Sequence, residues 1–210
     1  MGFDLYGVNP KILQDYPPRY NEILEKYGKD GWLDWSQDIP DNVKSEYYDI
    51  KSEYEDNNAG YYFRNNVWWW RPLWNFVCMA CEDFLSEKDA EAGFYNDGKK
   101  IAKYKAIKIG KRLSKLIEDG TVDAMVEDYN VKAAESKKHN ETVQKEIDKI
   151  SAECKEKHGD LVPADYPEPY KTQWDKAYSK KTWSDSYPFN KENVEDFAKF
   201  CLDSGGFEIC

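Results

Sequence analysis

The chain has 210 residues, a formal net charge of −10 and aromatic side chains at 16% of its positions. That length can bury one core, and the excess of acid disfavours duplex nucleic acid as a partner, because phosphate recognition works by Lys and Arg displacing counterions. Leu, Ile, Val and Phe are scarce, but eight Trp and sixteen Tyr supply rings that each remove on the order of 150–250 Å² from water when buried, so an aromatic-rich core is expected rather than disorder.

The chain opens with GFDLYGVNP and turns at Asn9-Pro10 and Tyr16-Pro17-Pro18. Residues 21–27 predict a short helix ending at Gly28, and residues 31–40 an ordered loop carrying Trp32 and Trp35. Val43, Tyr47, Ile50 and Tyr54 recur at helical spacing and predict an amphipathic helix from Asp41 to the turn at residues 57–60. Leu73, Trp74, Val77, Cys78, Cys81, Phe84 and Leu85 predict a buried helix from Pro72, with the proline in its first turn. Residues 66–71 fit either geometry: a strand aligns Arg64, Asn66, Trp68 and Trp70, and a helix aligns Arg64, Trp68, Arg71 and Asn75.

Asn96-Asp97-Gly98 is a turn signal, followed by a helix on Ala102, Ala106, Ile109, Leu113 and Leu116. Gly120 ends it and Thr121 can cap the next, so the two read as a helical hairpin. Residues 121–158 form a charged arm whose narrow stripe of Val143, Ile147, Ile150 and Cys154 suits self-association into a homodimer. Residues 160–189 read as a long loop, and a last helix starts near Asn190 and ends at Ser204-Gly205-Gly206. The expected fold is mainly α: a compact single helical domain with an aromatic core, a hairpin or arm, and little or no β-sheet.

A membrane span needs roughly 20 consecutive apolar residues, and the stretch from Val67 to Cys81 is broken by Arg71, Pro72 and Asn75. The N-terminal segment lacks an export signal, and the odd, scattered cysteines read as reduced thiols. A cytoplasmic protein with no membrane partner is expected. Cys78 and Cys81 form a CxxC without a second pair, and zinc needs about four ligands, so core thiols and no metal are the reading. His139 and His158 read as surface residues.

The start GFDLYGVNP, the block YFRNNVWWWRPLW at residues 62–74, the YNDG turn at 95–98 and the ending at 187–210 resemble an uncharacterised family of small proteins found mostly in bacteriophage genomes. These landmarks cover about half the chain. Residues 11–57 look like an insertion relative to that pattern. Where some relatives carry paired cysteine ligands, this chain offers only Cys154 and His158, so no zinc is expected there. The resemblance implies an infected bacterial cell as the setting.

The block is the best candidate for chemistry. Arg64 and Arg71 suit bidentate bonds to phosphate or carboxylate, Asn65 and Asn66 offer amide donors and acceptors, and Trp68, Trp70 and Trp74 can stack a planar base. Tyr95, Asn96 and Asp97 could add a turn and a carboxylate to the same pocket. The competing reading makes the indoles core and the turn a plain helix start. Enzyme motifs are missing, and no cofactor is called for. The expectation is a phage accessory protein that sequesters a small anionic nucleotide-derived immune signal. The alternative is an acidic interaction module that occupies a host protein by imitating nucleic acid.

Overall fold

The computed structural model describes residues 2–210. In chain order the elements are β1 (Gly2–Gly7), α1 (Pro18–Tyr27), β2 (Gly28–Lys29), β3 (Trp32–Leu33), α2 (Asp41–Asn57), β4 (Tyr62–Asn66), α3 (Val67–Ala80), α4 (Glu87–Ala92), β5 (Lys99–Ile101), α5 (Lys103–Glu118), α6 (Thr121–His158), α7 (Tyr170–Tyr178), α8 (Lys191–Asp203) and β6 (Phe207–Ile209). The protein is mainly α, as its helical periodicities predict. The expectation of little or no β-sheet is corrected by a four-stranded antiparallel sheet in the order β4-β1-β6-β5. The chain divides into two compact units, Met1–Thr121 with Lys191–Cys210, and Val122–Asn190.

In the first unit, β1 is paired on both sides. Leu5 lies opposite Phe63 and Ile209, and Tyr6 opposite Tyr62 and Glu208. Side chains of a strand alternate between faces, so Phe3 and Leu5 point to the buried side while Asp4 and Tyr6 point away. The sheet was hard to see in the sequence because its strands are short and all four are separated from their partners by many residues.

The core under the sheet is a stack of rings. Phe3 stacks on Trp70 at 5.4 Å and Trp70 on Trp74 at 5.3 Å, with Phe197 of α8 edge-on to Trp70 at 5.6 Å. Both indoles are fully buried, and a buried N–H needs a partner. Trp70 Nε1 donates to the Gly93 carbonyl at 2.6 Å and Trp74 Nε1 to the Ala90 carbonyl at 2.8 Å. α5 and α8 cross closely at Gly110, where a Cβ would stand 2.9 Å from the Ala198 carbonyl oxygen.

Residues 11–57 build a satellite core of Ile23, Leu33, Ile39, Val43 and Tyr47. Tyr16 is sandwiched between Tyr20 and Tyr54 at 3.9 and 3.7 Å. The segment at 13–14 is tied to Asn58, whose buried amide oxygen accepts from Leu13 N and Gln14 N and whose nitrogen donates to the carbonyls of Gln14 and Tyr54. The predicted loop at 31–40 contains β3, which pairs with β2 as a short hairpin.

In the second unit the predicted arm is one continuous 38-residue helix, α6. Its stripe of Val143, Ile147 and Ile150 packs against Ala177 and Trp174 of α7. The region expected as a loop therefore contains a helix, and that helix covers the seam the sequence offers for self-association. No helix among the described residues is long and apolar enough to cross a membrane.

A Cβ added at Gly93 would lie 2.1 Å from the Trp74 indole. Gly93→Ala is expected to destabilise the protein by about 1–3 kcal/mol, the usual cost of overpacking. Urea denaturation measures it, and a loss of near-ultraviolet tryptophan dichroism should accompany it.

Candidate functional site

The YFRNNVWWWRPLW block resolves its ambiguity by changing geometry in the middle. It is strand through Asn66 and helix from Val67 onward. Asn66 is the junction: its side-chain oxygen accepts from the backbone N–H of Trp68 at 3.0 Å and of Trp69 at 3.1 Å, capping α3. The helix thus begins before the predicted Pro72, which lies inside it. Successive residues on a helix diverge by about 100°, so the three indoles separate: Trp68 is exposed, Trp69 intermediate and Trp70 buried.

This divergence distributes the candidate residues. Trp70 and Trp74 are core rings with satisfied N–H groups, so they offer no face to a ligand. Asn65 donates to the Asn193 side chain at 2.7 Å, and Asn66 serves as the cap. Trp68 and Arg71 are exposed on α3. Tyr95 is exposed with Lys99 Nζ 5.5 Å from its ring, Asn96 donates to the Gly2 carbonyl, and Asp97 pairs with Lys99 at 3.4 Å. Of the predicted set, Arg64 lines a cleft that also holds rings and a second cation.

That cleft has a volume of about 340 Å³ and forms where the outer face of the sheet meets α2 and the β2–β3 hairpin. Tyr6 and Tyr62, opposite each other on β1 and β4, stand with Arg64 on the outward side of their strands. Tyr48, Lys51, Ser52 and Glu55 of α2 supply one wall, and Trp32 supplies the rim. Trp32 and Tyr48 are about half exposed, and Trp35 stacks on the Tyr48 ring at 6.3 Å. Lys51 Nζ lies 4.6 Å from the Trp32 ring centroid, a cation–π geometry.

The electrostatics are balanced. Arg64 Nε is 3.5 Å from Asp4 Oδ1, and Lys51 Nζ is 3.5 Å from Glu55 Oε1. Burial pushes the Glu55 carboxyl above its usual range, opposed by Lys51. The Tyr62 hydroxyl donates to Asp4, and burial followed by that bond pushes the Tyr62 phenol up. Exposed ion pairs are worth about 0–1 kcal/mol, so an incoming anion can exchange with Asp4 on Arg64 at small cost. Two cations facing two carboxylates suit a ligand with one anionic group better than a polyphosphate.

Sequence reasoning missed Tyr6, Trp32, Tyr48, Lys51, Tyr61 and Tyr62. The alternation Phe3-Asp4-Leu5-Tyr6 was a usable signal for an outward polar face. The helical face carrying Tyr48, Lys51 and Glu55 lies beside the buried face of α2 that its apolar residues reveal.

Cys78, Cys81 and Cys201 have the character of core thiols, whereas Cys210 is exposed. Burial pushes Cys78 up to about 11 and Cys81 up to about 12, and Cys201 is fully buried and shifted the same way. Such groups hold few thiolates at neutral pH. Among the described residues no group of three or more His, Cys, Asp or Glu could hold a metal ion. Cys154 is buried, and the His158 ring stands edge-on to Tyr170 at 5.7 Å. No protein family, curated protein or solved structure matches the chain.

Replacing Asn66 with Ala removes the cap of α3 and should cost about 1 kcal/mol. Asn66→Asp, which keeps the acceptor, should recover most of that in a thermal melt. Equal losses in both variants would mean that capping is not what Asn66 contributes.

Proposed function

We propose that the protein binds a small, planar molecule of nucleotide type with one anionic group in the cleft between the outer sheet face and α2, and holds it without transforming it. The observation that carries this reading is the presence of Arg64 and Lys51 in one cleft with the half-exposed rings of Trp32 and Tyr48. An indole or phenol face stacks any base, a contact worth about 1–3 kcal/mol. A guanidinium supplies a planar, two-pronged donor to phosphate or carboxylate. The volume of about 340 Å³ lies at the small end of ligand pockets, which span about 300–1,000 Å³, and fits a mononucleotide-sized group.

The resemblance to phage proteins supplies a setting for such a binder: an accessory protein that sequesters a host immune signal during infection. That role is an analogy of class, and the cleft chemistry stands without it.

Isothermal titration against a panel of nucleoside monophosphates, cyclic nucleotides and ADP-ribose-type compounds tests the reading. A ligand should be found whose affinity falls about tenfold or more in Arg64→Ala, and by a similar amount in Trp32→Ala through lost stacking. Arg71→Ala should bind within about twofold of the parent. Unchanged binding in an Arg64→Ala, Lys51→Ala double variant would remove the cleft from consideration. Recovery of the ligand intact after heat denaturation separates holding from turnover.

Glu55 adds a pH dependence whose sign follows from its raised pKa. Below that pKa the carboxyl is neutral and Lys51 is free to meet an anion. Above it, the carboxylate competes and repels. Affinity for the anionic ligand should therefore fall as pH rises through the Glu55 titration, and Glu55→Gln should flatten the profile and bind more tightly at neutral pH. A steeper profile in Glu55→Gln would contradict this assignment.

A further inference from the structure

The acidic net charge conceals a strongly basic segment. Residues 99–115 hold Lys or Arg at eight positions and contain no Asp or Glu. Four of these cations are engaged locally: Lys99 with Asp97, Lys100 with Glu208, Lys105 with Asp89 and Arg112 with Asp83. Lys108, Lys111 and Lys115 of α5 are exposed, and among the described residues none of them has an acid within ion-pair distance. They continue from the exposed Tyr104 at spacings of four, three and four, which places them on one helix face. That face is opposite the buried Ala106, Ile109 and Leu113.

α2 carries a matching stripe of the opposite sign. Asp49, Glu53 and Asp56 are exposed and none has a cation within ion-pair distance among the described residues. They occupy a third face of α2, apart from the buried face of Val43, Tyr47 and Tyr54 and from the cleft face of Tyr48, Lys51 and Glu55. Their spacings are four and three. Read in the reverse direction, Lys115, Lys111 and Lys108 are also separated by four and three. At 1.5 Å rise per residue both rows place their charges about 6 Å and then about 4.5 Å apart. Two antiparallel helices would set Asp49 opposite Lys115, Glu53 opposite Lys111 and Asp56 opposite Lys108.

We propose that the chain associates with a second copy of itself by docking the cationic face of α5 on the acidic face of α2. Each copy carries both halves of the contact, so one kind of molecule suffices. A nucleic-acid backbone is the less favoured occupant. Its affinity grows with the number of phosphates neutralised, the stripe holds only three lysines, of which Lys108 already sits over the Phe84 ring at 5.2 Å, and the acidic remainder of the chain repels it. The self-contact is independent of the ligand cleft and of any ligand.

Sedimentation velocity on the full chain tests it. The wild type should self-associate at about 20 mM salt and weaken about tenfold or more at about 0.5 M, where the screening length falls to a few Å. The triple variant Lys108→Glu, Lys111→Glu, Lys115→Glu should be monomeric, and so should Asp49→Lys, Glu53→Lys, Asp56→Lys. Mixing the two should restore a hetero-oligomer, because each now offers the charge the other lacks. All six positions are exposed, and melting curves check that both variants fold. A wild type that stays monomeric at low salt, association that survives either triple reversal, or a mixture that fails to recover would overturn the proposal. So would a monomeric wild type that binds an oligonucleotide through the three lysines.

Discussion

The double-sided pairing of β1 organises the first unit. Residues 2–6 pair with β4 on one side and residues 5–7 with β6 on the other, and the alternation of its side chains serves two purposes at once. Phe3 and Leu5 complete the aromatic core, whereas Asp4 and Tyr6 meet Arg64 and Tyr62 on the outer face. A slip of one residue would exchange these sets. It would bury a carboxylate and expose two core residues, a penalty of several kcal/mol. The register that protects the core therefore also fixes the floor of the cleft.

The same economy governs the tryptophan block. One side-chain oxygen, that of Asn66, ends a strand and starts a helix. The turn of the helix then sends Trp70 inward, where it is clamped between Phe3 and Trp74 with its N–H on the Gly93 carbonyl. The rings that looked most suited to a ligand are the ones the core needs most. Arg64, on the strand side of the junction, escapes this packing and faces the cleft. The block contributes a floor residue and a core, and the stacking surfaces come from elsewhere in the chain.

Most helices were legible in the sequence because they display apolar residues at regular spacing. α2, α5 and α8 follow from Val43-Tyr47-Tyr54, Ala106-Ile109-Leu113 and Val194-Phe197-Cys201, which the structure buries. The sheet was less legible, since three-residue strands such as Lys99–Ile101 and Phe207–Ile209 carry little periodic signal and owe their conformation to distant partners. α7 was hidden by the prolines and aromatics around it. Of the site, Arg64 was visible as a cation in an unusual context. Lys51, Tyr48 and Trp32 were not, because periodicity reports which face of a helix is buried and says nothing of what the other faces meet.

Those other faces explain why residues 11–57 matter. They provide a satellite core, one wall of the cleft and its rim. The satellite core orients α2 by burying Val43 and Tyr47, and the buried Asn58 amide ties residues 13–14 to the end of that helix. Once one face of α2 is committed inward, helical geometry alone directs Tyr48, Lys51 and Glu55 to the sheet and Asp49, Glu53 and Asp56 to solvent. A change confined to the satellite core would rotate all three faces together, so it would move the cleft wall without touching a cleft residue. The wall of the cleft and the packing of Tyr47 are thereby coupled through the rigid body of a single helix.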